Sequence, residues 1–265
     1  LLPQTTYYFK MTAVNSGGET IDSDVAAMRL DGAGTRVLVV DGTDRVRRQL
    51  SAGHDYLVRA GKALGAMGTG FDFAGNEGVI DEQISLNDYE AVVWLLAEES
   101  TFDETFAWAE QMHTMDYLEN GGRLFVSGSE IGWDLQHRAG STTYKNGHEN
   151  DQTFYNDYLR TNYESDDADT YQVTGETGSI FDGLSFSFDD GTHGTYDVAY
   201  PDVISGLSGA QAGLNYSGGT GGVAAVYHSD PGTGTVVNMG FGFETIYPES
   251  VRTEVMEAIL VELDD

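Results

Sequence analysis

The sequence predicts an α/β protein: a three-layer, doubly wound, mostly parallel sheet. Three observations predict it. Residues 91–96 and 124–126 are short continuous apolar runs, and 36–40 and 235–239 read as further buried strands, as expected for a parallel sheet covered by helices. Stretches with helical apolar spacing lie between them, so the order reads strand, helix, strand, helix, strand. Each run stops abruptly in small or acidic residues, and in open α/β sheets ligands bind beyond the carboxyl ends of the strands.

Composition narrows the function classes. The chain has 265 residues, 40% of them hydrophobic, enough for one large domain or a domain with an appendage. Its 43 acidic and 13 basic residues give a formal net charge of −30. Such a field repels nucleic acid and anionic membranes, so neither is expected as a partner. Lysine occurs only at Lys10, Lys62 and Lys145, and there is no cysteine. Disulfides, thiolate metal sites and a cysteine nucleophile are therefore excluded. No apolar run reaches about 18 residues, so no membrane-inserted helix is expected. The sequence opens in mid-pattern, and further domains of a larger parent chain are the expectation.

Taken in order, residues 1–31 read as a β-hairpin. Tyr7, Phe9 and Met11 alternate with Tyr8, Lys10 and Thr12, Ser16-Gly17-Gly18 turns the chain, and a second strand follows near 23–30. Residues 31–34 are a linker, and the main domain is expected over 35–265. The strand at 36–40 ends in Asp41-Gly42-Thr43-Asp44. A helix follows over 56–67, with Leu57, Ala60, Leu64 and Met67 on one face, and residues 71–73 form a short strand. The strand at 91–96 exits in Glu98-Glu99-Ser100. A helix is expected over 101–120, burying Phe102, Phe106, Ala109, Met112 or His113, Met115 and Leu118. Gly121-Gly122 stops it, since glycine accepts the left-handed conformation at a helix end. Residues 124–126 then run into Ser127-Gly128-Ser129-Glu130. A polar, tyrosine-rich insertion spans about 135–230, with a short helix over 153–163 that turns Phe154, Tyr155, Tyr158 and Leu159 inward. Short strands are expected at 185–188, 213–216 and 223–227. The strand at 235–239 leads to Glu244, and a helix over 249–263 closes the chain.

Four strand exits thus converge on one edge. Crowded carboxylates raise one another's proton affinity, the environment in which a general acid stands beside a general base. The candidate catalytic residues are Glu130, Glu98, Ser129, Asp41 and Glu244. Ser129 lies in Gly128-Ser129-Glu130-Ile131-Gly132, whose spacing differs from Gly-x-Ser-x-Gly for a serine nucleophile, and a serine needs a base such as His54, His148 or His228. Trp133, Asp134, Tyr155, Tyr158 and His148 are the candidate substrate contacts, since aromatic faces stack on sugar rings. No cofactor is required. Ca²⁺ is the ion the loop carboxylates Asp166, Asp167, Asp169, Asp189 and Asp190 could take, although their spacing is not that of an EF-hand.

The residues also carry resemblances. Leu2-Pro3, Thr6, Tyr8, Ala13-Val14-Asn15, Gly18-Glu19 and Ser23 resemble the last two strands of a fibronectin type III domain. From Arg36 onward the order resembles the class I glutamine amidotransferase-like fold. The GGRLFVSGSEIG stretch stands where its nucleophile turn would be, and VNMGFGFETI where its late histidine strand would be. Ser127 or Ser129 replaces the cysteine, and Phe243-Glu244 replaces the histidine, so glutamine hydrolysis is not implied. The stretches VLVVDG, WLLAEES, LFVSGSEIGWDL and GFGFETI resemble secreted bacterial modules joined to fibronectin type III domains and often labelled xanthan lyase or N-acetylmuramoyl-L-alanine amidase. The resemblance implies an extracellular or cell-surface setting and a polysaccharide or cell-wall polymer as partner. Two functions follow as expectations: a secreted hydrolase using strand-exit carboxylates, or a non-catalytic glycan-binding or adhesion module.

Overall fold

A computed structural model describes residues 1–20, 23, 25–30, 36–44, 56–99, 104–138 and 150–264. Five parallel strands form its centre: β1 (Val37–Asp41), β2 (Phe71–Gly75), β3 (Ala91–Ala97), β4 (Arg123–Gly128) and β5 (Gly234–Met239). Their spatial order is β2-β1-β3-β4-β5, all parallel. This is the flavodoxin-like order, with its switch point between β1 and β3.

The predicted two-faced burial follows from strand alternation. Val37, Val39, Val93, Leu95, Phe125 and Val237 point to one face, where α1 (Tyr56–Met67) and α3 (Glu249–Asp264) cover them. Leu38, Val40, Trp94, Leu96, Leu124 and Val126 point to the other, under α2 (Trp108–Glu119) and the helical residues around Phe154. Among the described residues no helix is long and apolar enough to cross a membrane.

The expected N-terminal hairpin is present and joins the same sheet. Thr6–Phe9 pairs antiparallel with Ala26–Arg29, which meets β2 through Arg29 and Phe71. Beyond β5 the insertion is more regular than expected. Val223–Asp230, Gln211–Tyr216, Gln172–Gly175 and Ser185–Phe188 extend the sheet as antiparallel neighbours. Ile246–Tyr247, seven residues past β5, pairs with Ser185–Phe188, so this half of the sheet curls back on itself. Its aromatic residues, among them Phe188, Tyr216 and Phe241, belong to the same core as β1, β3 and α1.

Two helix expectations need correction. The helix expected over 101–120 begins at Trp108; residues 101–103 lie outside the described residues. Upstream, the amide of Thr105 donates to Asp134 at 2.8 Å and that of Ala107 to Glu110 at 2.5 Å, so side chains supply the acceptors that mark a helix end. Its buried face also differs. Met112 is 44% exposed, while Glu110, Gln111 and Thr114 are buried. The helix expected over 153–163 stops at Tyr158. Arg160, at φ +51°, turns the chain into a strand at Thr161–Ser165. Gly121, at φ +82°, closes α2 as expected.

Candidate active site at the strand exits

At the switch point the β1 exit is a small network of acids and amides. Asp41 is buried, and its Oδ1 accepts the amide of Thr43 at 3.1 Å. The amide of Asp44 donates to Glu99 Oε2 at 3.0 Å, and Asn76 Nδ2 donates to Asp44 Oδ2 at 2.9 Å. Glu110, at the start of α2, belongs to this neighbourhood. It is 2% exposed and caps its own helix through Ala107. Burial pushes its carboxyl up to about 7; the charges of Asp44 and Glu77 add to this, and the Ala107 and Asn76 hydrogen bonds oppose it. The helix pattern concealed this residue, since the expected inward stripe passed it by.

The β4 exit resolves the serine question. Ser127 is fully buried, and its Oγ accepts the amide of Phe243 at 3.3 Å. Ser129 is 2% exposed; its amide and its hydroxyl both donate to the carbonyl of Ala97, at 2.8 and 3.3 Å. Ser129 therefore ties β4 to β3 and faces inward, with its hydroxyl on a backbone carbonyl and no base among its hydrogen-bond partners in the described residues. The exposed apex is the next residue. Glu130 is partly exposed, has φ +66°, and opens directly into the helical residues 131–138. A non-glycine residue in this conformation is strained, and such strain persists only where the surroundings enforce it. The spacing Gly128-x-Glu130-x-Gly132 puts a carboxylate where Gly-x-Ser-x-Gly puts its nucleophile on a strand-to-helix turn.

The insertion enforces that turn from below. Asp202, fully buried, accepts the amide of Gly132 at 2.6 Å and that of Trp133 at 3.4 Å through Oδ2. Burial raises its carboxyl well above the ordinary range, and the charge of Glu130 adds to this. Gly132 has no room for a side chain, because a Cβ there would lie 2.5 Å from the Tyr155 hydroxyl and 3.0 Å from the Tyr163 ring.

At the β5 exit Glu244 is fully buried, and its Oε1 accepts the Tyr196 hydroxyl. Burial raises its proton affinity; the Tyr196 hydroxyl, Arg59 and Arg252 offset part of that. Tyr56 of α1 packs edge-on against Tyr196 with centroids 5.3 Å apart. Glu98 is partly exposed, and its charge acts on Tyr196. Because Ala97 and Ser129 are hydrogen-bonded, Glu98 and Glu130 leave adjacent points of the backbone.

The expected substrate contacts separate. Trp133 is partly exposed beside Glu130 and begins an aromatic row: its ring centroid lies 6.2 Å from His137, which lies 5.4 Å from Tyr163. Asp134 is buried and committed, accepting Thr105 N and Oγ1 and Arg138 at 2.7–3.0 Å. Tyr155 is fully buried, so it supports the site rather than contacting a ligand. Tyr158 donates to Glu119 at the C-terminus of α2, which is the opposite end of the strands. His228 is likewise at the wrong end, paired with Val236 near the start of β5 and buried against the Tyr158 carbonyl at 3.0 Å. His54 and His148 lie outside the described residues.

Among the described residues, Asp189, Asp190 and His193 bring three ligand-type atoms within 4.8 Å. Asp189 already accepts Gly191 N, His193 N, Thr195 N and Thr195 Oγ1 at 2.6–2.8 Å. These four donors match a carboxylate's capacity, so Asp189 shapes its loop.

No protein-family model matches the chain, and comparison with curated proteins finds no match. Solved structures do resemble it. A putative ThuA-like protein from Bacteroides uniformis superposes with a TM-score of 0.51 at 10% identity, over 86% of this chain and 90% of that one. A GH42 β-galactosidase from G. stearothermophilus, solved as a catalytic mutant, gives 0.52 at 11% identity; the match spans 88% of this chain but 30% of the galactosidase. A putative GMP synthase protein from Thermoplasma acidophilum gives 0.48 at 13%, over 86% of this chain and 94% of that one. At these identities the first two establish a shared α/β fold and nothing finer.

Proposed function

We propose that this chain is a secreted hydrolase of a polysaccharide or cell-wall polymer, using carboxylates at the C-terminal edge of its parallel strands. The observation that carries the reading is Glu130, held at φ +66° on the turn between β4 and the following helix. Glu130 serves as the base, and Glu98, leaving the neighbouring strand, as the acid. Glu244 and Asp41 hold the surrounding turns and position water. One neighbour of this fold is part of a β-galactosidase, but at 11% identity it supports the fold alone, so the proposal rests on the side chains. The extracellular setting rests on the resemblance to secreted modules.

A second reading is a non-catalytic glycan-binding module, favoured by the row of exposed His137 between partly exposed Trp133 and Tyr163. Purified protein and its Glu130→Gln variant, assayed on glycans, cell-wall preparations and aryl esters with and without Ca²⁺, separate the two. Turnover that falls by roughly 10²- to 10⁴-fold in the variant is expected, the range for loss of general acid–base catalysis. Binding without turnover, unchanged by the substitution, would establish the binding module instead.

A further inference from the structure

Resting on the polysaccharide part of that reading, we infer that the insertion builds a pyranose-binding subsite beside Glu130, in which the Tyr200 ring stacks on a sugar face while the Tyr163 hydroxyl and the Asp166 carboxylate bind its hydroxyls. The argument begins with how these three residues come together. Thr161–Ser165 pairs antiparallel with Val203–Gly206, with Val203 opposite Ser165 and Ile204 opposite Tyr163. The chain before Val203 therefore runs beside the chain after Ser165, and the amide of Ala168 donates to the Pro201 carbonyl at 3.2 Å. Asp202 ties this end of the ribbon to the Glu130 elbow through the amides of Gly132 and Trp133. Its own amide donates to the carbonyl of Gly240, just past β5, at 2.9 Å. Tyr200 stands two positions before this buried support, and the charge of Asp166 acts on it. The Tyr163 ring packs over Gly132, 3.0 Å from where a Cβ would lie.

Each of the three offers a group that the protein leaves unused. Among the described residues, the Tyr163 hydroxyl and the Asp166 carboxylate have no hydrogen-bond partner, and the Tyr200 ring packs on no other ring. Asp166 is partly buried. Burial and the charge of Asp167 raise its proton affinity, and His137 offsets part of that. A desolvated carboxylate without a donor is costly, and sugar hydroxyls supply donors. Burial raises the proton affinity of Tyr163, and the charges of Asp202, Asp166 and Glu130 add to this. Its hydroxyl therefore stays protonated and free to donate, within electrostatic reach of Glu130. Tyr200 is 51% exposed, yet the Pro201 and Asp202 that follow it are buried. A ring carried on a backbone held this closely loses little freedom when a ligand packs against it.

A pyranose asks for this combination. One face of the sugar presents C–H groups, which pack on an aromatic ring. Its hydroxyls donate to a carboxylate, which only accepts, and accept from a phenol, which donates.

Saturation-transfer NMR with cellobiose, lactose and N,N′-diacetylchitobiose as probes tests the subsite by binding, separately from turnover. At least one probe is expected to bind, with transfer strongest to the C–H protons of one sugar face. Tyr200→Ala should abolish that transfer and Tyr200→Phe should keep it. Tyr163→Phe and Asp166→Asn should each weaken affinity about 2- to 10-fold, the range of one hydrogen bond. Thermal melting of Tyr200→Ala and Tyr163→Phe should match wild type, since the first removes an exposed ring and the second keeps its ring in place. Affinity unchanged in both variants would overturn the subsite and leave the hydrolase reading standing. Cleavage of glycans by a protein that binds none of the probes would do the same. Neither binding nor cleavage of any glycan would overturn both.

Discussion

The two halves of the sheet divide the work differently. The parallel half ends in acids: Asp41 closes β1, and Glu98, Glu130 and Glu244 follow β3, β4 and β5. The antiparallel half contributes aromatic bulk and buried hydrogen-bonding groups: Tyr163, Tyr196 and Asp202 reach across and hold the exits of the other half. One half presents reactive groups at the ends of its strands, and the other fixes the geometry of those ends. A candidate site of this kind cannot be understood from the fold that supplies its strands alone.

The largest effect should come from testing whether the halves are energetically one. Phe188, in the antiparallel half, is fully buried and stacks on Phe241 at 4.4 Å. Phe188→Ala should cost about 3–5 kcal/mol. All three tryptophans, Trp94, Trp108 and Trp133, lie in the parallel half, so the denaturation midpoint followed by tryptophan fluorescence should fall by the full amount. If fluorescence is unmoved while circular dichroism shifts, the halves unfold separately.

A smaller effect sharpens the electrostatic side. Glu110 binds its proton more tightly when folded, with its value raised from 4.5 to about 7. Its contribution is fully present below about pH 4.5 and is lost as pH rises through about 7, amounting to about 3 kcal/mol. The wild-type stability curve should therefore fall across that window relative to Glu110→Gln, as read from urea midpoints at pH values of about 4.5 and 8. Parallel curves would show that the carboxyl titrates normally.

The smallest effect lies where the halves touch. Gly132→Ala would press a methyl group against the Tyr155 hydroxyl and the Tyr163 ring. A loss of about 1–3 kcal/mol is expected, measured by thermal melting, and Tyr163→Ala in the same chain should recover part of it. No recovery would mean that the crowding is borne by Tyr155 alone.

Much of the parallel half was legible because its signals are local. Fully apolar runs, helical spacing in α1 and the Gly121 stop needed no partner to be read. The α2 boundary was not legible, because its buried face is Glu110, Gln111 and Thr114, residues whose partners lie elsewhere in the chain. Glu130 was visible as a strand-exit acid, but the serines beside it carry the more familiar nucleophile signal, and only the backbone shows which residue is the apex. Asp202 and Tyr196 carried no such signal. Each is an ordinary residue in an irregular stretch, and its importance comes from pairings over 48 to 70 positions. Tyr158 and His228 failed as site residues for a directional reason: they are carried to the start of the parallel strands, and periodicity does not say at which end a distant segment lands.

The seam between Ile246–Tyr247 and Ser185–Phe188 bears on how far this protein can be trimmed. A minimal version keeping five strands and three helices, with 161–230 replaced by a short linker, looks reasonable from topology alone. It would leave β5 as a bare outer strand, strip Glu244 of Tyr196 and the elbow of Asp202, and cut the stitch that returns the chain to α3. The insertion therefore supplies hydrogen bonds that two of the strand exits depend on.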